Sequence, residues 1–483
     1  MSMCSVRRSD FVHWTGRPGG QRAGFLLGLA LASVGCSQGG SMLGVPPADL
    51  QAEVPLTGNP LWANRLGAAQ FDVASGAAFA PGGDLYFTGT VQDAVDLGGG
   101  ATPAAGSYDA WLGRYSPAGR HLWSRRFGGP GEDRSFSVAA DRDGSVVVTG
   151  YFSGSVDFGG GSLSSAGQSD IFVAKYDPRG AHLWSRRLGG PGNDAGNHVA
   201  VDADGNVLVT GYFSSAADFA GTLLTSAGKN DIFLTKLSAT GELRWAKGFG
   251  GPSSDAGLGV SVDAQGNVVC AGGFTESVDF GSGALTSAGR DDVFVASFDS
   301  VGRPKWSQRL GGAGDDDATG VAKNAAGEVF VVGYCHDAFA VGPTPVQSAG
   351  GADALLVKLS ATGAPLWARS FGGAQEDAFT GLALDGRGQL LLSGFFTGSI
   401  DLGGGPLHGA GDLDLLVARL AADGGHLWSK AFGGANSDAA TGIASDAIGG
   451  VAVSGYFQGS ADFGSGPVSS SGGYDAVIAR LAP

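Results

Sequence analysis

Tryptophan recurs along this chain at a constant spacing of 61 residues. The segment around each copy is similar too, as in Gly180-Ala-His-Leu-Trp-Ser-Arg-Arg-Leu-Gly-Gly190. The seven copies are Trp62, Trp123, Trp184, Trp245, Trp306, Trp367 and Trp428. A fixed period of this length is typical of propellers and solenoids, in which each repeat is one structural unit. The period therefore constrains the fold more than any local motif does.

Each repeat contains four segments with strand character. In the repeat that begins at Asp133 they are residues 135–141, 145–152, 170–176 and 182–188. The third segment, Asp170-Ile-Phe-Val-Ala-Lys-Tyr176, is apolar on both faces, so it needs a neighbour on each side. Four antiparallel strands between two neighbours form a propeller blade. The sequence thus predicts an all-β fold, a seven-bladed β-propeller spanning residues 59–483.

Within residues 59–483 the four-strand pattern starts and stops part-way through a repeat. The first tryptophan-bearing strand, residues 61–66, comes before any inner strand, and the last copy stops after its third strand at Leu481. We expect the N-terminal strand to complete the seventh blade and close the ring, which would remove two open sheet edges.

Two glycine columns accompany the second strand of each repeat. Gly144 and its equivalents should supply the positive φ that the first hairpin turn requires. Gly150 and its equivalents are expected to end the second strand.

The first 58 residues differ in composition from the repeats. Arginines precede an apolar run at residues 23–34, which predicts a signal peptide over residues 1–35. The run leads into Ser33-Val34-Gly35-Cys36, which resembles a bacterial lipoprotein signal with Cys36 as the lipidated residue. Simple secretion is the alternative. Residues 36–58 are rich in Gly, Ser, Pro and Ala and are expected to form a flexible tether.

The repeat resembles the bacterial SBBP β-propeller repeat. The phrases that carry the resemblance are Val199-Ala-Val-Asp-Ala-Asp-Gly-Asn-Val-Leu-Val-Thr-Gly-Tyr-Phe213 and Asp170-Ile-Phe-Val-Ala-Lys-Tyr-Asp177. The resemblance implies a secreted or surface-attached bacterial protein, and it transfers no catalytic residues. The fifth repeat departs most, with Cys335 and His336 in place of an aromatic pair and Ala340 in place of Asp.

Aspartate occupies three columns of the repeat. One column precedes the inner strands: Asp72, Asp133, Asp194, Asp255, Asp316, Asp377 and Asp438. A second opens the third strands: Asp109, Asp170, Asp231, Asp292, Asp353, Asp414 and Asp475. The third lies in the long connection: Asp96, Asp157, Asp218, Asp279, Asp401 and Asp462. Blade topology predicts that all three columns share one face of the ring.

These carboxylates allow two interpretations. They can accept backbone N–H bonds and fix the glycine-rich loops. Alternatively, they form an acidic loop face that binds a cation or carbohydrate, with calcium as the natural ligand. The first column, from Asp72 to Asp438, is the candidate acidic face; no residue is assigned as a metal ligand.

Catalytic motifs do not emerge from the sequence. His198 and His336 are the single-copy histidine candidates, and Cys270 and Cys335 are expected to be free, buried thiols. A net charge of −15 argues against nucleic acid as a partner. We expect a non-enzymatic, monomeric scaffold, exported to the outer membrane or cell surface, that binds a protein or glycan and contacts the membrane only through a lipid anchor. A secreted lyase or hydrolase with a site at the central channel, or a calcium-dependent carbohydrate-binding module, is the alternative. An enzyme should show single-copy polar residues converging near the channel, whereas a scaffold should repeat its residues.

Overall fold

A computed structural model describes residues 56–464 and 466–483. In this part of the chain every regular element is a β-strand, so the fold is all-β as predicted. No helix in these two ranges could span a lipid bilayer. The predicted signal peptide, the lipidation candidate Cys36 and most of the predicted tether lie outside the described residues.

The longer strands pair in groups of four, which we call units 1 to 7; the residue pairs Gly433↔Asp462 and Gly434↔Ala461 join units 6 and 7 into one eight-stranded sheet. Units 1 and 2 comprise β2 (Val73–Phe79), β3 (Leu85–Val91), β6 (Asp109–Tyr115) and β7 (His121–Phe127), then β8 (Asp133–Ala140), β9 (Val146–Phe152), β12 (Asp170–Tyr176) and β13 (His182–Leu188). Units 3 and 4 comprise β14 (Ala195–Val201), β15 (Val207–Phe213), β18 (Asp231–Leu237) and β19 (Leu243–Phe249), then β20 (Ala256–Val262), β21 (Val268–Asp279), β22 (Ala284–Phe298) and β23 (Pro304–Leu310).

The remaining units repeat this order of strands. Units 5 and 6 comprise β24 (Asp317–Lys323), β25 (Val329–Cys335), β28 (Asp353–Leu359) and β29 (Pro365–Phe371), then β30 (Ala378–Leu384), β31 (Leu390–Phe396), β34 (Asp414–Leu420) and β35 (His426–Gly434). Unit 7 comprises β36 (Ala439–Ser445), β37 (Val451–Asp462), β38 (Pro467–Leu481) and the N-terminal strand β1 (Pro60–Leu66). Each unit is antiparallel, and β1 pairs with β38 from Pro60↔Leu481 to Leu66↔Ala476.

A short hairpin, absent from the sequence prediction, occupies the long connection of each unit. Five are separate pairs: β4 (Val95–Asp96) with β5 (Ala101–Thr102), β10 (Ser155–Asp157) with β11 (Ser162–Ser164), β16 (Ala216–Phe219) with β17 (Thr222–Thr225), β26 (Ala338–Val341) with β27 (Thr344–Gln347), and β32 (Ser399–Ile400) with β33 (Leu407–His408). In units 4 and 7 the second and third strands extend to form the same hairpin.

The Gly150 column lies inside the second strand, and the expectation that it ends the strand is wrong. The pairing of β8 with β9 is bulged between Ser135 and Ser137, next to Gly150. A Cβ at Gly150 would overlap the Arg134 carbonyl, so the bulge requires glycine. The Gly144 column has positive φ, as predicted, with φ 84° at Gly144.

Buried side chains fill the space between successive units. One core cluster joins Tyr86 and Leu112 of unit 1 to Val148 and Phe172 of unit 2. Every residue of β12 is buried. This confirms for unit 2 that both faces of the third strand are covered, because its side chains pack against units 1 and 3.

Each tryptophan of the 61-residue column joins its own unit to the next. Trp184 Nε1 donates to the Ala239 carbonyl at 2.9 Å, and a Cβ at Gly241 would lie 2.7 Å from the Trp184 ring. The ring therefore fits closely over a glycine of the following unit. Trp428 lies over Gly58 in the same way, with 2.7 Å to a Cβ at that position.

Candidate functional site: the aspartate pairs and the aromatic sector

The seven aspartates that precede the inner strands are buried, each at most 1% exposed. In Asp133, Oδ2 accepts from Gly129 N at 2.7 Å and Oδ1 accepts from Ser153 N at 3.1 Å. The same pair of bonds recurs around Asp72, Asp194, Asp255, Asp316, Asp377 and Asp438. Each carboxylate thus ties the loop that enters the inner strand to the residue that follows the second strand. This geometry is that of loop-fixing carboxylates, with both oxygens occupied.

The aspartates that open the third strands are buried next to the first column. In Asp170, Oδ2 accepts from Ala166 N at 2.9 Å and forms an ion pair with Arg187 at 2.7 Å. Arginine makes the same pair in three further units: Arg65 with Asp475, Arg126 with Asp109 and Arg309 with Asp292. The equivalent positions in units 3, 5 and 6 are Gly248, Ser370 and Ala431. Four of these aspartates therefore have a cation and three do not.

The two columns meet where one unit follows another. At the junction of units 5 and 6, a Cβ at Gly372 would lie 2.5 Å from Asp353 Oδ1 and 2.6 Å from Asp377 Oδ2. The two oxygens are therefore no more than about 5 Å apart, and charges at that distance repel by about 3 kcal/mol at an effective dielectric constant of about 20. A side chain would overlap both carboxylates at Gly372 and would crowd the equivalent pair at Gly189, Gly311 and Gly433, whereas at Gly67, Gly128 and Gly250 it would overlap the third-strand aspartate. Every position of this column therefore requires glycine.

Burial and this neighbouring charge shift the ionisation of the first column. Burial raises the pKa of Asp133 and Asp438 to about 7, and Asp109 and Asp414 respectively add to the rise. The two backbone N–H bonds to each carboxylate act in the opposite direction and only partly offset burial.

The third aspartate column is exposed, unlike the two buried columns. Asp96 is exposed, and its Oδ1 accepts from Gly98 N and Gly100 N at 2.7 and 2.8 Å. Gly98 packs against His121, at the start of the outer strand. In unit 3 the backbone of Asp218 pairs with Gly189 of the preceding unit, and the α-carbon of Gly189 lies against Asp170 and Asp194, so this exposed column borders the two buried ones.

The candidate calcium ligands of the Asp72 column each belong to a different unit. Within residues 56–464 and 466–483, no group of three or more His, Cys, Asp and Glu side chains could hold a metal ion. The Asp72 column accordingly receives no calcium assignment.

An aromatic sector lies beside the aspartate pairs; it consists of Phe71, Tyr108, Tyr474 and Arg134, which depart from the repeat, and of Tyr456, whose equivalents Tyr151, Tyr212 and Tyr334 are also tyrosine. The ring of Phe71 lies 6.3 Å from Tyr108 and 5.7 Å from Tyr474, and Tyr456 lies 5.2 Å from Tyr474. Arg134 stacks on Tyr108 with its guanidinium carbon 3.9 Å from the ring centroid. Phe71 and Tyr474 remain half-buried.

Equivalent positions in the other repeats are mostly small or polar. Tyr108 and Tyr474 correspond to Ser169, Asn230, Asp291, Ala352 and Leu413, and Phe71 corresponds to Glu132, Asn193, Ser254, Asp315, Glu376 and Ser437. Comparison of the columns before Asp72 and Asp109 could have revealed these substitutions. Their proximity could not have been read from the sequence, because they come from opposite ends of the repeat array.

The single-copy histidines link backbone segments. His198 is buried in β14, and its Nδ1 accepts from Val260 N of the next unit at 3.3 Å. His336 Nδ1 lies 2.6 Å from the Asp315 carbonyl, so this nitrogen carries the proton. Cys270 and Cys335 are buried free thiols, which confirms the prediction.

Four-stranded antiparallel units, repeated every 61 residues and packed face to face, define this chain as a β-propeller repeat protein. The SBBP family model, described as a beta-propeller repeat, matches residues 183–215. That segment runs from the outer strand of unit 2 to the end of β15, and the match confirms the SBBP resemblance there.

Two curated relatives match much of the chain. It is 27% identical over 387 residues to the regulatory protein FlaEY of Caulobacter vibrioides, covering 70% of this chain and 39% of that protein. It is 21% identical over 436 residues to an uncharacterized WD repeat-containing protein of Acanthamoeba polyphaga mimivirus, covering 70% of this chain and 31% of that protein. The chain thus spans well under half the length of either relative.

Solved structures with a related arrangement include two fungal proteins. Sqt1 of Chaetomium thermophilum aligns with a TM-score of 0.44 and 10% identity, over 88% of this chain and 99% of that one. The Pan2 WD40 domain of Neurospora crassa aligns with a TM-score of 0.34 and 11% identity, over 70% of this chain and 94% of that domain.

Proposed function

We propose that residues 59–483 form a closed seven-bladed β-propeller. Three contacts between the two ends of the repeat array support closure. Strand β1 completes the sheet of unit 7, Thr441 Oγ1 donates to the Ala74 carbonyl at 2.5 Å, and Trp428 covers Gly58. The last tryptophan thereby repeats across the chain ends the contact that Trp184 makes with Gly241.

Truncation tests closure. A chain that starts at residue 67 lacks β1, and we expect it to melt well below a control chain that starts at residue 56. Removal of β1 exposes the edge of β38 and uncovers Ala479 and Leu481, which are buried beside it. Equal melting temperatures would contradict the closed arrangement.

We propose further that the propeller is a non-enzymatic scaffold that binds a protein or glycan partner through the aromatic sector. The observation that carries this proposal is the clustering of departures from the repeat at one place. A purely structural position tends to be the same in all units, whereas a binding site for one ligand occupies some units only. Tyrosine and arginine are also enriched among residues that dominate binding energy. The regulatory name of the Caulobacter relative favours binding over catalysis.

Site-specific photo-crosslinking tests the binding surface. A photoreactive residue at position 474 should capture a partner in the native host, and the same residue at position 230 is the matched control. Asn230 occupies the equivalent position of unit 3, where the aromatic rings are absent. Equal capture at both positions would show that the aromatic sector is not the binding surface.

We propose that the protein is exported as a monomer and anchored at the cell surface by a lipid on Cys36. The apolar run followed by Gly35 and Cys36 supports this proposal. A fatty-acid label should be incorporated into the wild-type protein and not into Cys36→Ser. A wild-type protein that is exported without the label would instead support simple secretion.

A further inference from the structure

The junction between units 5 and 6 contains a buried carboxylate pair without a cation. Asp353 is 2% exposed and Asp377 is fully buried. Ser370 occupies the position at which four other units have arginine, and its Oγ donates to the Gln347 carbonyl at 2.9 Å. The side chain that neutralises a carboxylate elsewhere is therefore replaced by one that cannot.

One oxygen of this pair lacks a hydrogen-bond partner. Asp377 accepts from Gly373 N and Thr397 N at 2.8 and 3.1 Å, one bond to each oxygen. Asp353 Oδ2 accepts from Ala349 N at 2.8 Å, whereas its buried Oδ1 accepts no hydrogen bond. Asp353 Oδ1 and Asp377 Oδ2 converge on the α-carbon of Gly372. The same oxygen also lacks a partner in the arginine-paired Asp109, Asp170, Asp292 and Asp475, so what distinguishes this junction is the missing cation.

The other titratable groups around the pair do not supply a fixed positive charge. Glu376 contributes a further carboxylate, and its Oε2 accepts from Ala352 N at 3.3 Å. His336 faces Asp353 from the end of β25 and lowers the pKa of that carboxyl only as a secondary influence. The neighbouring Cys335 thiol is buried, and burial raises its pKa above the ordinary value. The negative charge of the pair is therefore balanced by neither lysine nor arginine.

We propose that the Asp353–Asp377 pair is a proton-binding site in which one bound proton takes the role that arginine has at four other junctions. The proton comes from solvent, converts one carboxylate to a carboxylic acid, and returns to solvent when the acid ionises. Protonation changes the charge of the pair from −2 to −1, the net charge of two carboxylates with one arginine. After protonation, Asp353 Oδ1 either carries the proton itself or has the protonated Asp377 carboxyl group close to it as a donor. Burial raises the pKa of both groups above the ordinary range, and that of Asp377 to about 6.

The experiment places the missing arginine at this junction of the full-length protein. Ser370→Arg is compared with wild type, with Ser370→Gln as an uncharged control of similar length and Asp353→Asn as a second test that removes one carboxylate. The ¹³C shift of the Asp377 carboxyl group is followed by NMR as a function of pH, and melting temperatures are recorded at pH 5 and pH 8.

We expect the Asp377 carboxyl to titrate near pH 6 in wild type and Ser370→Gln. In Ser370→Arg and Asp353→Asn it should titrate at a lower pH than in wild type, although still above the ordinary aspartate value because burial is the largest cause of the rise, and the fall in melting temperature between pH 5 and pH 8 should be smaller. If Ser370→Arg fails to fold, Asp353→Asn alone decides. An Asp377 carboxyl that is ionised at pH 5 in wild type, or that titrates alike in wild type and Asp353→Asn, would overturn the proposal.

Discussion

The junction between units 1 and 2 and the junction between units 5 and 6 have the same geometry but balance charge differently. In the second, Asp353 and Asp377 both lie against the α-carbon of Gly372; in the first, Asp109 lies against Gly128 and adds to the raised pKa of the neighbouring Asp133. In the first, Arg126 pairs with Asp109 at 2.6 Å and also donates to the Thr102 carbonyl at 3.0 Å. In the second, Ser370 leaves Asp353 without a cation. The backbone bonds and the glycine are thus the constant part of a junction, and the cation is the variable part.

This difference distinguishes the backbone hydrogen bonds, which fix the loops, from the arginine, which changes the charge of the buried pair. Backbone N–H donors satisfy the Asp72 column in all seven units, so loop geometry does not depend on arginine. The cation only lowers the electrostatic cost of burying two carboxylates side by side. A junction that lacks it keeps the backbone bonds but not the positive charge, whereas burial raises the pKa of the first-column aspartate at both kinds of junction, to about 7 at Asp133 and about 6 at Asp377.

The largest expected effect comes from making the first junction resemble the second. Arg126→Ser should cost about 3–5 kcal/mol at pH 8, because removing one partner of a buried ion pair leaves the other charge uncompensated. Ser370→Ala, at the junction without arginine, is the matched control and should change stability little. Denaturant unfolding of both variants measures the difference. Equal, small losses would mean that arginine is dispensable and that the two junctions do not differ in the way described.

The next effect tests the part that both junctions share. Gly372→Ala should destabilise by about 1–3 kcal/mol, because the added methyl group overlaps two carboxylate oxygens. Gly373→Ala is the control, since its Cβ would meet only the Ser399 carbonyl at 3.4 Å. Thermal unfolding compares the two neighbouring substitutions. A Gly372→Ala variant as stable as Gly373→Ala would remove the explanation for the glycine column.

A smaller change in the free energy of unfolding, to which several aspartates contribute, is expected from pH. Burial raises the pKa of Asp133, Asp316 and Asp438 to about 7, against 3.8 for an ordinary aspartate. Between these values the folded chain binds more protons than the unfolded chain, so the free energy of unfolding should fall as pH rises from about 4 to about 7 and then level off. Melting temperatures at pH 5 and pH 8 check the sign. A protein that is more stable at pH 8 would contradict the assigned shifts.

The smallest effect is expected from calcium. Both oxygens of each carboxylate in the Asp72 column already accept backbone bonds, so calcium could bind there only by breaking the loops. Millimolar calcium, compared with chelator, should leave the melting temperature of residues 56–483 unchanged. A saturable increase would show that the loops rearrange to bind the ion.

Strand positions were largely predictable from the sequence. The third and fourth strands of unit 2 have the predicted bounds, 170–176 and 182–188, and the second begins one residue later than predicted. Alternation of apolar residues and tight glycine turns are local properties, so they can be read from a single repeat. The hairpin β10–β11 was missed because its glycine-rich turn resembles an irregular loop. Its turn depends on Asp157, which accepts from Gly159 N and Gly161 N at 2.7 and 3.0 Å.

The sequence by itself determined the period, the all-β class and the identity of the repeated columns, because these follow from spacing and residue type. Only the tertiary structure decided which columns meet. Asp353 and Asp377 belong to different units, and their proximity depends on how one sheet packs on the next. Likewise, Phe71 and Tyr474 are 403 positions apart in the chain and 5.7 Å apart between ring centroids. Alignment of the repeats identifies which residues are equivalent. Contacts between units depend on how the sheets pack, and the sequence of one repeat does not determine this packing.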